Sequence, residues 1–482
     1  MLLKTLFNQN KSKDKTALSL HILSVFILLA LTGCASNNAQ DDEAINAKLA
    51  GYTTFTPQTW ATRVDESQLR DAQQIDWLNG FQDPLLTQLV KLAIANNRDL
   101  MAAAANVERA NALAVQAGAQ LKPQANLAFS SSRTGSPSSS IPDVTNQSIS
   151  VQLNWEVDLW GRISAGERAA VASAEAAAAD YQYAQHSLAA ATSKAYFVAI
   201  EAGRQVDILR DILASLEETY RIVNVQYENG LASAQDVALT KSDLASTREQ
   251  LITLDASQRE ALRALEVLLG RYPKGEISVK PTLPALPPMP PLGLPSEILE
   301  RRPDIVASER RVAAAFNAVG QAKAARLPQL SLTGNVGGAS DSLSNILNPA
   351  NVAWQLASNL LAPIFDGGVR KAQVEVATAE QKQALASYAQ TALTAFSDVE
   401  TNLDLANTLV MRENELDISL REAEKAYRIA QLRHKEGEIA LIDLLSMQQR
   451  VLSAKSNLSS LQRLALEQRI NLFLALGGDW VN

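Results

Sequence analysis

The second half of this 482-residue chain repeats landmarks of its first half at a nearly constant distance. Ala117–Gln124 (AGAQLKPQ) returns as Ala322–Gln329 (AKAARLPQ), 205 positions later. Tyr227–Gly230 (YENG) returns as His434–Gly437 (HKEG), 207 positions later. Three further pairs keep this spacing: Asn97–Leu100 with Arg302–Ile305, Gly161 and Arg162 with Gly368 and Arg370, and Leu268–Gly270 with Ala475–Gly477. A nearly constant offset at five landmarks indicates an internal duplication, so any fold for this chain must contain two equivalent halves.

Each half contains one stretch that reads as a very long helix. After Gly368 no proline or glycine occurs as far as Arg433, and apolar residues recur there every three or four positions, which is the pattern of a helix with an apolar stripe. At 1.5 Å per residue this helix would be about 100 Å long, whereas helices of globular proteins typically have ~10–14 residues. The matching stretch 162–228 has only Gly166 and Gly203 as interruptions. Helices of this length do not fit a compact core, and a long coiled-coil spacer is the alternative that they leave open.

The first 33 residues read as a lipoprotein signal peptide. A lysine-rich start precedes an apolar run from Ile22 to Leu31, which is too short to span a bilayer but fits the central region of a secretory signal. The run ends in Leu31-Thr32-Gly33-Cys34, a bacterial lipobox that holds the chain's only cysteine. Cys34 is therefore the predicted lipidation site and the first residue of the mature protein, the alternative being a buried cysteine after an ordinary signal peptide. Because no aspartate follows Cys34, resemblance to bacterial lipoproteins implies the outer membrane.

Four segments alternate apolar and polar residues. The clearest runs for eleven residues from Ile149 to Leu159, and shorter ones begin at Gln124, Leu330 and Val352. Period-two alternation predicts strands with one apolar and one polar face, and lengths near ten residues match tilted strands that cross a membrane. The segments between the strands of each pair, 131–147 and 337–350, are rich in Ser, Gly, Pro and Asn and are predicted as surface loops.

Four strands cannot close a barrel, and an open sheet edge in lipid would leave backbone groups without hydrogen bonds. The chain must therefore oligomerise or keep these sheets out of the membrane. A dimer would give eight strands with an interior filled by side chains, whereas a trimer would give twelve, enough to begin leaving a water-filled lumen. The alternative is a soluble sandwich with one wet face, which would explain neither the lipobox nor the long helices.

Composition excludes several classes of function. The formal net charge of -7 argues against a nucleic-acid binder, which would carry basic patches. One cysteine allows no intrachain disulfide and no multi-thiolate metal site, and three histidines are too few for a histidine-rich metal site. The chain has no GxSxG, HExxH, Walker or GxGxxG motif. We therefore expect no enzyme activity, no metal and no other cofactor.

Three motifs carry a family resemblance: Arg301–Ile305 (RRPDI) followed by Ala307 and Glu309, Val157–Arg162 (VDLWGR), and Ala475–Gly478 (ALGG). They resemble the TolC-like outer membrane factor family, in particular the lipoprotein branch that serves resistance-nodulation-division (RND) efflux pumps, and the resemblance covers roughly Trp77 to Trp480. It implies a mixed α/β membrane protein. Four strands from each chain of a homotrimer would form one 12-stranded outer-membrane β-barrel, continued by a long α-helical coiled-coil tunnel through the periplasm. Shorter helices would stack end to end beside the tunnel and meet at an equatorial belt.

This resemblance divides the chain into five parts. They are the signal peptide 1–33, an N-terminal segment 34–76 near the equatorial belt, the first repeat 77–270, a proline-rich linker 271–300 at the belt, and the second repeat 301–482. Each repeat is expected to contain a helix, a strand pair (124–159 or 329–361), a long helix, a tip turn and a further helix.

Two glycine turns are expected at the periplasmic tip, where members of the family meet the periplasmic adaptor. Glycine supplies the positive φ that reverses a helix, so an ordinary helix cap is an alternative that is compatible with adaptor contact. The residues that resemble the adaptor-contacting turns are Gly230, Leu231, Asp236, Gly437, Glu438 and Asp443.

The family also narrows its tunnel at the tip with inward-facing aspartates, and Asp443 matches one such position. The resemblance therefore implies a pore constriction at Asp443, whose three copies would attract cations and repel anions. Ser446 stands where many members carry a second acid, so a double acidic ring is in doubt. For Asp443 the alternative is an acid favoured by the dipole of its own helix.

Arg302, Asp304 and Glu309 could be read as a catalytic or binding cluster. We interpret them as structural, because Pro303 is suited to start a helix and Asp304 would lie in its first turn. The arginines are expected to pair with acids at the belt.

The sequence and the resemblance together predict a passive exit channel in the bacterial outer membrane, lipid-anchored, inserted as a barrel and extending into the periplasm. The implied partners are two further copies of the chain, a periplasmic adaptor (membrane fusion) protein, an inner-membrane RND transporter that supplies the energy, and outer-membrane lipid, with no nucleic acid. The exported compounds would be small and toxic. Two alternatives are the exit duct of a type I protein secretion system and a periplasmic spacer lipoprotein without a channel.

Overall fold

The computed structural model describes residues 45–62 apart from 46, 52 and 54, residues 77–135 and residues 143–478. Cys34 lies outside these residues. The chain forms two compact units, each built from separate stretches. The sheet unit holds residues up to 55, 109–176 and 308–389, and the helical unit holds the remainder.

One antiparallel sheet lies in the sheet unit, and its four strands follow the order of the chain. β1 (Gln124–Thr134) pairs with β2 (Val144–Val157), β2 pairs with β3 (Gln329–Ser340), and β3 pairs with β4 (Val352–Leu361). The central β2–β3 pair joins the first repeat to the second. β1 and β4 are the two edges, and neither has a second partner within the described residues.

The register places most of the large apolar residues of the four strands on one face, whereas Val144 and Leu361 lie on the other. Leu153 lies opposite Ala125 and Gly334, and Gly334 lies opposite Leu356. A side chain at Gly334 would come within 3.2 Å of Leu356 and 3.5 Å of Leu153, so these two leucines cover the glycine. The apolar face also carries Leu127, Phe129, Val151, Val336 and Trp354, and the opposite face carries a row of amides formed by Asn126, Gln152, Asn335 and Gln355.

The strands are longer than the alternation predicted. The expected loops 131–147 and 337–350 are wrong at their ends, because β1 continues to Thr134, β2 already begins at Val144 and β3 continues to Ser340. Strand pairing depends on backbone groups, so residues without alternation can still pair; the hydroxyls of Ser130 and Ser148 even share a hydrogen bond of 2.8 Å. At the other end, β2 stops two residues before Leu159.

That early stop has a local cause. The carboxylate of Asp158 accepts hydrogen bonds from the backbone N–H groups of Ile163 (2.9 Å) and Ser164 (2.8 Å) and from the Ser164 hydroxyl (2.6 Å). These contacts cap the following helix, so Asp158 belongs to the helix start and not to the strand.

Three helices of the first repeat have counterparts of the same length, in the same order, in the second repeat. Before the sheet lie α1 (Trp77–Gly80), α2 (Pro84–Asn96) and α3 (Arg98–Ala119). Two helices have 67 residues each, α4 (Arg162–Glu228) and α8 (Val369–Lys435), and each precedes one of 35 residues, α5 (Ala234–Leu268) and α9 (Leu441–Ala475). The short α6 (Ile298–Arg301) precedes α7 (Pro303–Ala324), which has 22 residues like α3. In the described part of the chain, no helix has both the length and the hydropathy that a membrane crossing requires.

Each repeat is closed by the same contact in the helical unit. Asn97, just before α3, donates its amide to the Leu268 carbonyl at the end of α5 (3.1 Å), and Arg302, just before α7, donates to the Ala475 carbonyl at the end of α9 (3.1 Å). Gly270 follows with φ +67°, and a Cβ there would lie 2.3 Å from the Asn96 carbonyl oxygen. Only glycine allows this approach. Its counterpart Gly477 has φ +69°, and a Cβ there would lie 3.1 Å from the backbone nitrogen of Arg302.

One apolar core of the helical unit joins α1 and α2 to α4, α5 and α9. Trp77 stacks on Phe473 with ring centroids 5.7 Å apart, and Phe81 contacts Phe197 at 5.3 Å. Asp83 caps α2, and its second carboxylate oxygen accepts a hydrogen bond of 2.8 Å from the Tyr196 hydroxyl. This core therefore holds the start of the first repeat against α4 and α9.

Candidate functional site

The first tip turn is closed by a complete capping box. α4 ends at Glu228, Gly230 adopts φ +76°, and Ser233 caps α5. The Ser233 hydroxyl accepts a hydrogen bond from the Asp236 N–H (3.1 Å), while the Asp236 carboxylate accepts from the Ser233 N–H (3.1 Å) and hydroxyl (2.7 Å). These hydrogen bonds from Ser233 lower the pKa of Asp236. The carboxylate of Asp236 therefore serves the turn itself.

The second tip turn lacks this box. Gly437 reverses the chain with φ +78°, but Ala440, which stands where the first repeat has Ser233, gives α9 no side-chain cap. Asp443 lies exposed in the first turn of α9, and its carboxylate has no hydrogen-bond or ion-pair partner among the described residues. The carboxylate of Asp443 can therefore interact with mobile ions, whereas that of its counterpart Asp236 is hydrogen-bonded to Ser233.

The other predicted contact residues differ in their surroundings. Leu231 is 80% exposed, and a Cβ at either Gly230 or Gly437 would meet nothing within 4 Å. Glu438 accepts a hydrogen bond of 3.0 Å from Arg433, so its charge is paired inside the second turn. Leu231 is thus an apolar side chain that the described residues leave open at the first turn.

One apolar cluster in the helical unit supports both turns. Leu216 and Val223 of α4 pack with Leu244 of α5, and the same cluster includes Leu441 and Leu444 of α9. Partly buried side chains of the two turns, Ala232 and Ile439, pack against it, as does Val237 at the start of α5. The two turns therefore share one apolar support in the helical unit.

The N-terminal segment is fastened by a contact that the sequence analysis missed. The Glu400 carboxylate of α8 accepts hydrogen bonds from the backbone N–H groups of Ala61 (2.6 Å) and Thr62 (3.0 Å) and from the Thr62 hydroxyl (2.7 Å). The buried Trp60 donates to the Gly293 carbonyl in the proline-rich linker (3.1 Å) and contacts Phe396. The linker, α8 and this part of the N-terminal segment therefore meet in the helical unit.

The Arg302 cluster has the geometry of a structural contact. Arg302 is only 3% exposed and forms ion pairs with Asp304 (2.8 Å) and Asp398 (3.2 Å), besides its bond to the Ala475 carbonyl. Burial by itself would lower the pKa of Arg302, but the hydrogen bond and charge of Asp304 raise it, with a smaller contribution from Asp398. A buried cation whose donors bind two acids and a helix end holds elements together, and this fits our interpretation of the motif.

Known proteins match this chain over most of its length. The family model described as outer membrane efflux protein matches residues 89–271 and 294–478. The pyoverdine export outer membrane protein OpmQ of Pseudomonas aeruginosa is 31% identical over 478 residues, which cover 96% of this chain and 97% of OpmQ. The probable outer membrane lipoprotein SilC of Salmonella typhimurium is 28% identical over 468 residues, covering 96% of this chain and 99% of SilC. The solved outer-membrane channel OprN matches with a TM-score of 0.79 and 30% identity, over 88% of this chain and 98% of OprN.

Proposed function

This chain belongs to the outer membrane efflux protein family, and on that premise we propose that it is the passive exit channel of a tripartite pump for small toxic compounds. Membership confirms the predicted family, its outer-membrane location and its efflux role. It also confirms the fold class, that of trimeric outer-membrane channels with a four-stranded sheet and long helices in each chain. In the proposal, an inner-membrane RND transporter supplies the energy and a periplasmic adaptor links it to this channel.

The observation that carries the proposal is an open four-stranded sheet followed by 67-residue helices. Unpaired edges at β1 and β4 would be costly in lipid, and three copies remove them by closing twelve strands into one barrel. The exposed apolar face of the sheet would then meet lipid, and the row of amides would line the lumen. Purified protein in a planar bilayer should conduct ions in discrete steps, whereas a periplasmic spacer would give no current.

We propose that the two tip turns form the adaptor contact. The surface would comprise Gly230, Leu231 and Asp236 of the first turn with Gly437, Glu438 and Asp443 of the second. The exposed Leu231 and the shared apolar support beneath both turns favour this assignment, because a docking surface needs apolar contact on a fixed scaffold.

We also propose that Asp443 forms the acidic ring of the pore constriction. In a trimer its three carboxylates would share a narrow neck, where their negative charges would attract cations. Asp443→Asn should therefore weaken cation selectivity and reduce block by divalent ions added on the periplasmic side. The measurement is the reversal potential under a salt gradient across a planar bilayer.

Asp236→Asn is the matched control, because its carboxylate is held by Ser233 in the equivalent turn. This variant should leave the reversal potential unchanged although it weakens the cap of α5. If Asp443→Asn also leaves it unchanged, Asp443 does not set selectivity and the acidic ring lies elsewhere.

For the N-terminus, we propose residues 1–33 as the signal peptide and Cys34 as the acylated first residue of the segment 34–76. Cys34→Ser should abolish incorporation of a radioactive fatty acid but still permit barrel assembly, since one lipid anchor adds only modest membrane affinity. The hydrogen bonds to Glu400 fasten the same segment to α8 independently of lipid. Label that persists in Cys34→Ser would show that the lipidation site is wrong.

A further inference from the structure

The turn after β4 exposes two large apolar side chains. Ile364 is 96% exposed and Phe365 91%, the highest values for large apolar residues in the described part of the chain. The turn is nevertheless well fastened. The Asp366 carboxylate accepts hydrogen bonds from the N–H groups of Gly368 (3.0 Å) and Arg370 (3.2 Å), and the Arg370 side chain donates to the Ala325 carbonyl (3.0 Å). A fixed turn that holds apolar side chains in water indicates a contact that a single copy of the chain does not complete.

The duplication supplies a template for that contact. Within one chain, β2 of the first repeat pairs with β3 of the second, down to Val157 opposite Leu330. Just beyond this pair, the Trp160 indole donates a hydrogen bond of 2.7 Å to the carbonyl of Pro328, directly before β3. The turn after β2 is thus anchored across the seam by one large aromatic side chain.

The corresponding seam between two copies would join β4 of one to β1 of the next. β4 is the repeat counterpart of β2, and Pro123 before β1 is the counterpart of Pro328. The positions that correspond to Trp160 are Gly367 and Gly368, which have φ +65° and +93° and no side chain to cross the seam. The large side chains of this turn lie slightly earlier, at Ile364 and Phe365.

We propose that Ile364 and Phe365 of one copy pack against the start of β1 in the neighbouring copy and take the place that Trp160 has inside the chain. Phe365 corresponds to Asp158, one residue beyond the last internal pair of Val157 with Leu330. Extending that register by one residue places Phe365 next to the partner copy's Gln124. An open cleft of about 330 Å³ borders that region and includes Lys122 and Gln124 together with the apolar Trp155 and Leu332. The inference rests on the homotrimer proposed above and adds the contact that locks its seam below the barrel.

Cross-linking tests the contact separately from the trimer. Phe365→Cys combined with Gln124→Cys should yield covalent trimers with a short bismaleimide, because each copy would link to the next. The control pair is Ser358→Cys with Ser131→Cys, whose counterparts Val151 and Val336 are directly paired in the internal seam. Each single-cysteine variant should give no covalent trimer.

The two pairs separate the possible failures. If the control pair links and the Phe365–Gln124 pair does not, the seam exists but the docking of Phe365 is wrong. If neither pair links, the homotrimer closed through β4 and β1 fails, and the docking fails with it.

A second measurement distinguishes the neighbouring copy from membrane lipid as the partner of Phe365. Phe365→Ser should shorten the lifetime of the trimer in detergent by about tenfold or more, since burial of a phenylalanine side chain is lost in every copy. Leu347→Ser, in the β3–β4 loop where Leu347 is 79% exposed, should leave the lifetime unchanged. Equal lifetimes for the two variants would assign Phe365 to lipid and overturn the proposal.

Discussion

Arg302→Ala should destabilise the protein by about 3 kcal/mol, the low end of the range for breaking a buried ion pair. The side chain is 3% exposed and holds Asp304, Asp398 and the end of α9 together. Its removal leaves two neighbouring carboxylates without their cation and the Ala475 carbonyl without this donor. The side chain of Asp398 is 44% exposed. Water can therefore hydrate its carboxylate when Arg302 is removed, and this favours the lower value.

Denaturant titration of the detergent-solubilised protein, followed by helix circular dichroism, measures the effect. Arg310→Ala is the matched control: Arg310 also pairs with two acids, Glu175 and Glu309, but is 39% exposed, and pairs of that kind contribute ~0–1 kcal/mol. The loss of stability in Arg302→Lys should lie between those of the two alanine variants. A lysine keeps the positive charge but lacks the planar guanidinium that lets Arg302 contact all three partners. Equal losses for Arg302→Ala and Arg310→Ala would contradict a structural role for the buried cluster.

The long helices could be predicted from the sequence because individual residues mark where each helix ends. No proline interrupts 162–228, and Gly230 with its positive φ stands just after the last helical residue. The two faces of each strand could also be predicted, since alternating residues point to opposite sides of a strand. The ends of the strands could not be predicted. The serine- and glycine-rich residues beyond Ser130 and Gly337 pair through their backbones and show no side-chain pattern.

The contact between Glu400 and the N-terminal segment could not be predicted from the sequence for a different reason. Its partners are 338 and 339 positions apart and meet through backbone N–H groups, which every residue type except proline carries. The difference between the tip aspartates did have a signal: Ser233 and Asp236 fit a capping box, whereas Ala440 and Asp443 do not. Comparing the two repeats position by position would have separated these acids from sequence alone.

Leu153→Arg should cost about 2–4 kcal/mol near the bilayer midplane and less toward the interface, because an arginine on the lipid face loses its hydration. Leu153 lies on the apolar face, opposite Ala125 and Gly334, and is 43% exposed, while Trp354 and Leu356 on the same face are 75% exposed. The adjacent Gln152→Arg should be tolerated, since its side chain belongs to the row of amides on the opposite face.

These two variants differ by one position in β2 and carry the same charge, so only the face of the sheet separates them. Refolding of each into lipid vesicles across a urea gradient gives the free energy of insertion and folding. Leu153→Arg should shift the midpoint to lower urea, while Gln152→Arg should follow the parent and reduce cation conductance through the added positive charge in the lumen. The reverse order would mean that the amides face lipid. Equal midpoints would place the sheet outside the membrane, where neither face needs to be apolar.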